Sequence, residues 1–366
     1  MVTRNSFAEE FLGQKRFFYI IMDLKNYICD VPFNSLEVHN NSCFLCCPSW
    51  LTKKIELNNG NLDGVFNSES VMDIRRSVTD GTYSYCDEKM CPHLNKLISD
   101  KVATGPIKSR EDSRFKKNMD DLLPEHVMMN FDRTCNYKCP SCRTDTIVEN
   151  IDGIRRIEKT INEIDNLYSS NLRIIYITGT GDPFVSVGFR NYLRNFNPEK
   201  YPKLNRIHLH TNASMWNKEM WNSMPSIHEY VRSCEISIDA GTKETYETKT
   251  RIGGNWETLI SNLEFISTIP KLSTIKTSFV VQDTNYKEME IFYNLMYKIL
   301  GDKVQVYFGK ITNWGTYSDS EYKIKQIWDP SHVDHEKFKK EFNKIWKMPN
   351  VFHNLYEFID YQKTII

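Results

Sequence analysis

Cysteines carry most of the chemistry legible in this chain of 366 residues. There are ten: Cys29, Cys43, Cys46, Cys47, Cys86, Cys91, Cys135, Cys139, Cys142 and Cys234. Nine fall within the first 142 residues, and in a cytosolic protein such clustering suggests metal binding more than disulfides. The tightest group is Cys135-Asn-Tyr-Lys-Cys139-Pro-Ser-Cys142. Three thiolates in one short loop can hold three corners of a cubane [4Fe–4S] cluster and leave the fourth iron open. Iron–sulfur clusters usually take four cysteines, so three in a tight loop suggest a coordination position kept free for a ligand. The competing readings are structural zinc, which would want a fourth Cys or His nearby, and thiols buried as small hydrophobes.

Something must position that loop. Six apolar runs read as strands: His126–Asp132, Arg173–Thr178, Arg206–His210, Val231–Asp239, Thr274–Val281 and Val304–Lys310. Stretches long enough for crossover helices separate most of them. The clearest is Ile151 to Leu167, with Ile154, Ile157, Ile161, Ile164 and Leu167 at helical spacing. Strand alternating with helix implies an α/β fold with a parallel sheet and right-handed crossovers. Six units suit an open, partial (β/α)6 barrel, whose chemistry should sit at the C-terminal ends of the strands. The cysteine loop follows the first strand directly. Three regions separate on this basis: a cysteine-rich α+β module over 1–120, the strand–helix core over 121–317, and a mainly helical tail over 318–366.

Composition narrows the function classes. Basic and acidic residues balance at 47 each, without the basic stripe of a nucleic-acid binder. Mean hydropathy is -0.51, and no run approaches the roughly 18 apolar residues of a membrane span. The short apolar patch from Phe17 to Met22 lacks the longer core and cleavage site of a signal peptide, so a cytoplasmic protein is expected.

The cysteine spacing resembles that of the radical S-adenosylmethionine (SAM) superfamily, and further segments extend the resemblance strand by strand. Thr178-Gly-Thr-Gly-Asp-Pro183 is similar to the family's Gly-Gly-Glu-Pro segment, which binds the methionine amino group of SAM; Thr180, Gly181 and Asp182 take those positions, with a carboxylate one methylene shorter. On its own the segment would read as an Asp-Pro turn. Thr211-Asn212-Ala213 resembles the family's Thr-Asn-Gly. Ser237 and Asp239, closing the fourth strand, match residues that commonly meet the ribose hydroxyls. Thr245-Tyr246 and Arg251-Ile-Gly253-Gly254 resemble a helix whose Arg often meets the methionine carboxylate. One departure is Ser141, where the family often has an aromatic residue. The resemblance implies that SAM chelates the open iron of a cluster on Cys135, Cys139 and Cys142. It also implies reductive cleavage to a 5′-deoxyadenosyl radical, which takes a substrate hydrogen.

The N-terminal module resembles auxiliary-cluster modules of the SPASM type and its shorter form, twitch. Leu36 and Val38 alternate before an Asn40-Asn41 turn, a short helix follows near Ser70 to Val78, and Cys86 and Cys91 close the run. Carried over, Cys29, Cys46, Cys86 and Cys91 would hold a second [4Fe–4S] cluster, with Cys47 the rival of Cys46 and Cys43 facing away. A zinc site on the same four is the alternative. The module here precedes the strand–helix core, whereas in the family it usually follows. Four thiolates would saturate that cluster, leaving it to exchange electrons. The implied function is radical SAM oxidoreductase chemistry, a two-electron oxidation or epimerisation of a sugar, aminocyclitol or related small molecule. The implied electron source is an external one-electron donor such as flavodoxin or ferredoxin. A peptide substrate is the second reading, and a non-catalytic zinc or iron–sulfur module the third. Gln282, Asp283, Asn285, Asn313 and Trp314 are candidate substrate contacts. Cys234 reads as a core residue, and His332 and His335 as surface residues.

Overall fold

A computed structural model describes residues 23–58, 60–115, 119 and 121–359; the apolar patch at 17–22 lies outside them. In chain order the strands are β1 (Tyr27–Cys29), β2 (Ser35–Val38), β3 (Ser42–Phe44), β4 (Ile55–Glu56), β5 (Ile107–Ser109), β6 (His126–Met129), β7 (Ile174–Ile177), β8 (Arg206–Thr211), β9 (Val231–Ser237), β10 (Thr274–Val281), β11 (Val304–Lys310) and β12 (Val351–His353). The longer helices are α1 (Glu69–Thr79), α2 (Pro92–Asp100), α3 (Ile151–Tyr168), α4 (Val187–Arg194), α5 (Trp256–Ser267), α6 (Met289–Leu300) and α7 (His335–Ile345).

β6 to β11 lie side by side in sequence order, every neighbouring pair parallel. This is the open six-unit β/α arrangement expected from the sequence. Buried and half-buried residues alternate along β6 and β8. Val127, Met129, Ile175, Ile177, Ile207, Leu209, Cys234 and Ile236 are buried in one large core. α3 shows how a crossover helix seals that side. Asn150 caps it by accepting from the Gly153 N–H, and Ile157, Ile161 and Ile164 form its buried stripe. On α4, a Cβ at Gly188 would stand 2.6 Å from Ile157 Cγ2, so the glycine permits close approach of the two helices.

The flanking regions are less separate than the sequence suggested. β2 pairs in parallel with β6, and β3 and β4 follow it antiparallel to form one edge of the same ten-stranded sheet. The tail is not only helical: beyond α7 it adds β12, parallel to β11, at the other edge. Among the described residues, only β1 and β5 stand apart, as an antiparallel pair. The tail also corrects one surface assignment. His335 is buried, its ring against Phe358 and Phe338 and its Nδ1 3.2 Å from the Ile327 carbonyl.

Candidate functional site

The C-terminal strand ends carry the strain that marks a site. Thr178, Ala213 and Asp239, just beyond β7, β8 and β9, have φ of 49°, 61° and 58°. Left-handed backbone is uncommon outside glycine and costly for a β-branched Thr, and it clusters at functional positions. All three turns are pinned by side chains. The Thr178 hydroxyl accepts from the Gly181 N–H (2.9 Å), the Thr211 hydroxyl from Ala213 (2.9 Å), and Asp239 from Val280 (2.7 Å).

The cysteine loop sits among these turns. Cys135 and Cys139 are buried and Cys142 is half-buried. Each sulfur faces a side-chain N–H donor. Asn212 Nδ2 lies 3.7 Å from Cys135 Sγ, Arg251 3.6 Å from Cys139 Sγ, and Arg143 3.4 Å from Cys142 Sγ. Two of these donors were named from sequence; Arg143 was not, although it directly follows Cys142. The loop is tied from behind as well. Lys138 N–H donates to the Ile252 carbonyl (3.0 Å), and Cys135 exchanges backbone bonds with Ile147. Burial pushes the Cys135 thiol up to about 11 and Cys139 upward too. Thiols in such a place stay protonated until a cation offsets the buried charge.

The remaining expected SAM residues surround this loop in two ways. Asp182 is 1% exposed, and its carboxylate accepts from Thr211 Oγ1 (2.7 Å), Asn212 N (2.8 Å) and Phe184 N (3.0 Å). It therefore binds the end of β7 to the end of β8. Gly181 packs so tightly that a Cβ would stand 2.5 Å from the Asp132 carbonyl oxygen and 2.7 Å from that of Thr134. Thr180 gives its hydroxyl to the Asn130 carbonyl (2.8 Å) and its carbonyl to Arg143. Arg251 pairs with Asp239 at 2.6 Å, and its Nε is buried without a partner. Ser237 Oγ is 2.9 Å from His210 Nε2. The turn before α5 closes on the loop: Gly253 has φ of 97°, and a Cβ there would approach the Asn136 carbonyl to 3.3 Å.

The second cysteine group lies in the N-terminal segment. Cys29, Cys46, Cys86 and Cys91 line one small cavity with Pro32, Trp50, Leu51, Tyr83 and Leu94. Cys47 does not line it, and Cys43 is buried in the main core. The Trp50 indole N–H is 2.9 Å from Cys46 Sγ. Burial pushes Cys86 to about 12 and holds Cys29, Cys46 and Cys91 above their ordinary values. Among the described residues, no three His, Cys, Asp or Glu side chains gather closely enough to hold a single metal ion. Ligands of a cubane bind separate irons, so they stand around a volume, as these four do.

The other face of the sheet is polar, a feature missed from the sequence. His210, Glu235 and Lys276 are register neighbours across β8, β9 and β10, and Ser237, Ser278 and Tyr307 follow one pleat further on. Lys276 pairs with Glu235 at 2.9 Å and lies 4.3 Å from the Tyr307 ring centre. Burial opposes the Glu235 charge, but Lys276 and His210 hold its pKa down to about 2. The period-two spacing of these residues was visible; which face they shared with other strands needed the register. Three of the loop candidates have partners within the fold. Asn285 ties Asp239 to Val280 through their carbonyls, Asp283 pairs with Lys325, and Asn313 closes its own turn with Tyr317. Gln282 is buried and Trp314 exposed.

No family model and no curated protein matches the sequence. Solved structures do. Streptococcus suis SuiB bound to S-adenosylmethionine is 14% identical, over 83% of this chain and 57% of SuiB, with a TM-score of 0.44. Native anSMEcpe with bound AdoMet is 17% identical, over 64% of this chain and 59% of that one, with a TM-score of 0.43. BtrN in complex with AdoMet and 2-DOIA is 14% identical, over 32% of this chain and 47% of that one, with a TM-score of 0.23. The chain thus spans about half the length of the structures it matches.

Proposed function

We propose that this chain is a radical SAM enzyme with one auxiliary [4Fe–4S] cluster, acting on a small polar molecule such as a sugar or aminocyclitol. One observation carries the reading: side chains from three different places along the chain, Arg143, Asn212 and Arg251, each aim an N–H at a different cysteine of the loop. Cysteines buried as small hydrophobes would not need such donors. Bound there, the cluster and SAM would supply a radical that abstracts hydrogen, the step that protein side chains cannot perform. The chain's own residues hold the parts in place. Asp182 fixes Thr211 and Asn212, Asp239 aims Arg251, and Gly181 lets the β7 loop lie against the Asp132–Thr134 backbone.

The substrate side of the proposal rests on the polar sheet face. His210, Glu235, Lys276 and Tyr307 offer donors and acceptors suited to hydroxyl and amine groups, beside strand ends that carry the cysteine loop. The N-terminal segment meets this part of the sheet: Lys310, closing the strand of Tyr307, donates to the Lys89 carbonyl two residues before Cys91. Cys29, Cys46, Cys86 and Cys91 would hold a saturated cluster able to accept an electron, giving net two-electron oxidation. The first electron would come from an external donor such as flavodoxin or ferredoxin.

The test is anaerobic reconstitution with iron and sulfide. About eight irons per chain are expected, four for each cluster, with 5′-deoxyadenosine formed from SAM under strong reductant. Replacing Cys135, Cys139 and Cys142 with Ala should leave about four irons and abolish that product. Stoichiometric zinc in the native protein, with no charge-transfer absorption, would refute both clusters.

A further inference from the structure

We infer that Arg143 sets the reduction potential of the cluster proposed on Cys135, Cys139 and Cys142; the inference rests on that cluster reading. Arg143 is 6% exposed, and its guanidinium donates to the Arg133 carbonyl (2.7 Å), the Thr180 carbonyl and Cys142 Sγ (3.4 Å). Its partners are therefore two neutral carbonyls and one cluster ligand.

The other two sulfur donors differ. Asn212 is neutral. Arg251 spends its charge on Asp239 at 2.6 Å, so that pair adds little net charge at the loop. Arg143 is thus the one donor of the three whose positive charge is not offset by a carboxylate partner. A reduced cluster carries one more negative charge than an oxidised one, and in a low-dielectric site a nearby cation favours the reduced form. Local charge and hydrogen bonds to sulfur are among the recognised determinants of cluster potential. The guanidinium also joins the cysteine loop to the β7 loop through Thr180, so it can position as well as polarise. Arg143 is a positioning residue in this sense, acting on reacting atoms through Cys142.

The experiment compares the reconstituted full chain with Arg143→Gln and Arg143→Lys in a redox titration. The readout is the electron paramagnetic resonance signal that SAM perturbs, which separates this cluster from the auxiliary one. Arg143→Gln is expected to keep its iron and to lower the reduction equilibrium at least tenfold, a fall of about 59 mV for one electron. Arg143→Lys keeps the charge and should stay near the wild-type potential. An unchanged potential in Arg143→Gln overturns the inference. So does a lysine variant that falls as far as the glutamine variant, because geometry would then matter and charge would not. If the glutamine variant loses its iron, Arg143→Met serves as the uncharged variant: a fall of the same size supports the inference and an unchanged potential overturns it. A wild-type chain that binds no such cluster fails the proposed function instead, which the iron count shows before any titration.

Discussion

Replacing Asp182 with Ala tests whether the strand-end network is built as described. The carboxylate accepts three hydrogen bonds, from Phe184, Thr211 and Asn212. Phe184, Thr211 and Asn212 are 0%, 1% and 5% exposed, so truncation strands three donors where water is scarce. A buried donor left unmatched costs about 1–3 kcal/mol, which gives about 3–9 kcal/mol for the three. Burial also raises the Asp182 pKa, so the wild type already bears a desolvation cost that the alanine variant sheds. The lower part of the range follows, about 3–5 kcal/mol. At about 2.1 cal/mol/K of unfolding entropy per residue, a chain of this size should lose about 4–6 °C in Tm. Calorimetry of the apo chain measures it. Asp182→Asn keeps the shape and one acceptor oxygen, so its loss should be smaller. The pair of variants also locates the carboxylate's duty: a direct partner of the SAM ammonium would lose SAM affinity in Asp182→Asn with little change in Tm. An alanine variant with wild-type Tm, and an unchanged cluster signal after reconstitution, would refute the network argument.

Three further outcomes are expected. Cys46→Ala should remove about four irons from the reconstituted chain while Cys47→Ala removes none, because only Cys46 lines the N-terminal cavity; equal losses by iron assay would show that the cavity is not the ligand set. Gly181→Ala should weaken SAM binding by equilibrium dialysis while iron stays near wild type, since its Cβ would stand 2.5 Å from a backbone oxygen that cannot yield cheaply. Acid should destabilise the apo chain early. Burial holds His208 and His353 neutral with pKa values near 3, and His93 and His126 near 4. The unfolded chain takes up those protons and the folded chain does not, so stability is full above pH 6.5 and lost as pH falls from there toward 4. Each group should contribute about 2 kcal/mol of loss by pH 5, and a urea midpoint that is flat between pH 7 and 5 would contradict it.

How much of this was legible beforehand depended on whether the signal was local. β10 and β11 were read from sequence to the residue, because each is a β-branched and aromatic run closed at both ends by polar or glycine turn residues. The three-cysteine loop was legible for the same reason, as its spacing is contiguous. Cys46 was preferred to Cys47 on resemblance, and it is Cys46 that lines the cavity, a distinction of one residue within a turn. What escaped was non-local. Arg143 was in plain sight beside Cys142, yet its meaning depends on the Thr180 carbonyl, a contact 37 residues away. β12 is three residues long and partly exposed, too short for any periodicity to show. His335 looked like a surface residue of an amphipathic helix, but the buried stripe with Phe338 and Phe342 includes it.

The order of segments, with the cysteine module ahead of the strand–helix core, raises the question of how it can serve the same site from the wrong end of the chain. The hydrogen bonds answer it. At one edge the module is part of the sheet, β2 pairing with β6 while Glu37 accepts from Asn130 (2.7 Å), whose own oxygen accepts from Gly179 (2.7 Å). At the other edge it reaches the tail, with Lys310 donating to the Lys89 carbonyl (2.9 Å) and Asn354 to the Met90 carbonyl (3.2 Å). Both of these contacts lie at the C-terminal ends of β11 and β12, and Cys91 follows Met90 in the chain. An open sheet has two free edges, and one segment that engages both can enclose the polar face between them from either end of the sequence. Chain order then sets only which edge receives a strand and which a loop. The same bridging sets Cys91 beside the β11–β12 edge, because Lys310 and Asn354 hold the two residues that run up to it, Lys89 and Met90.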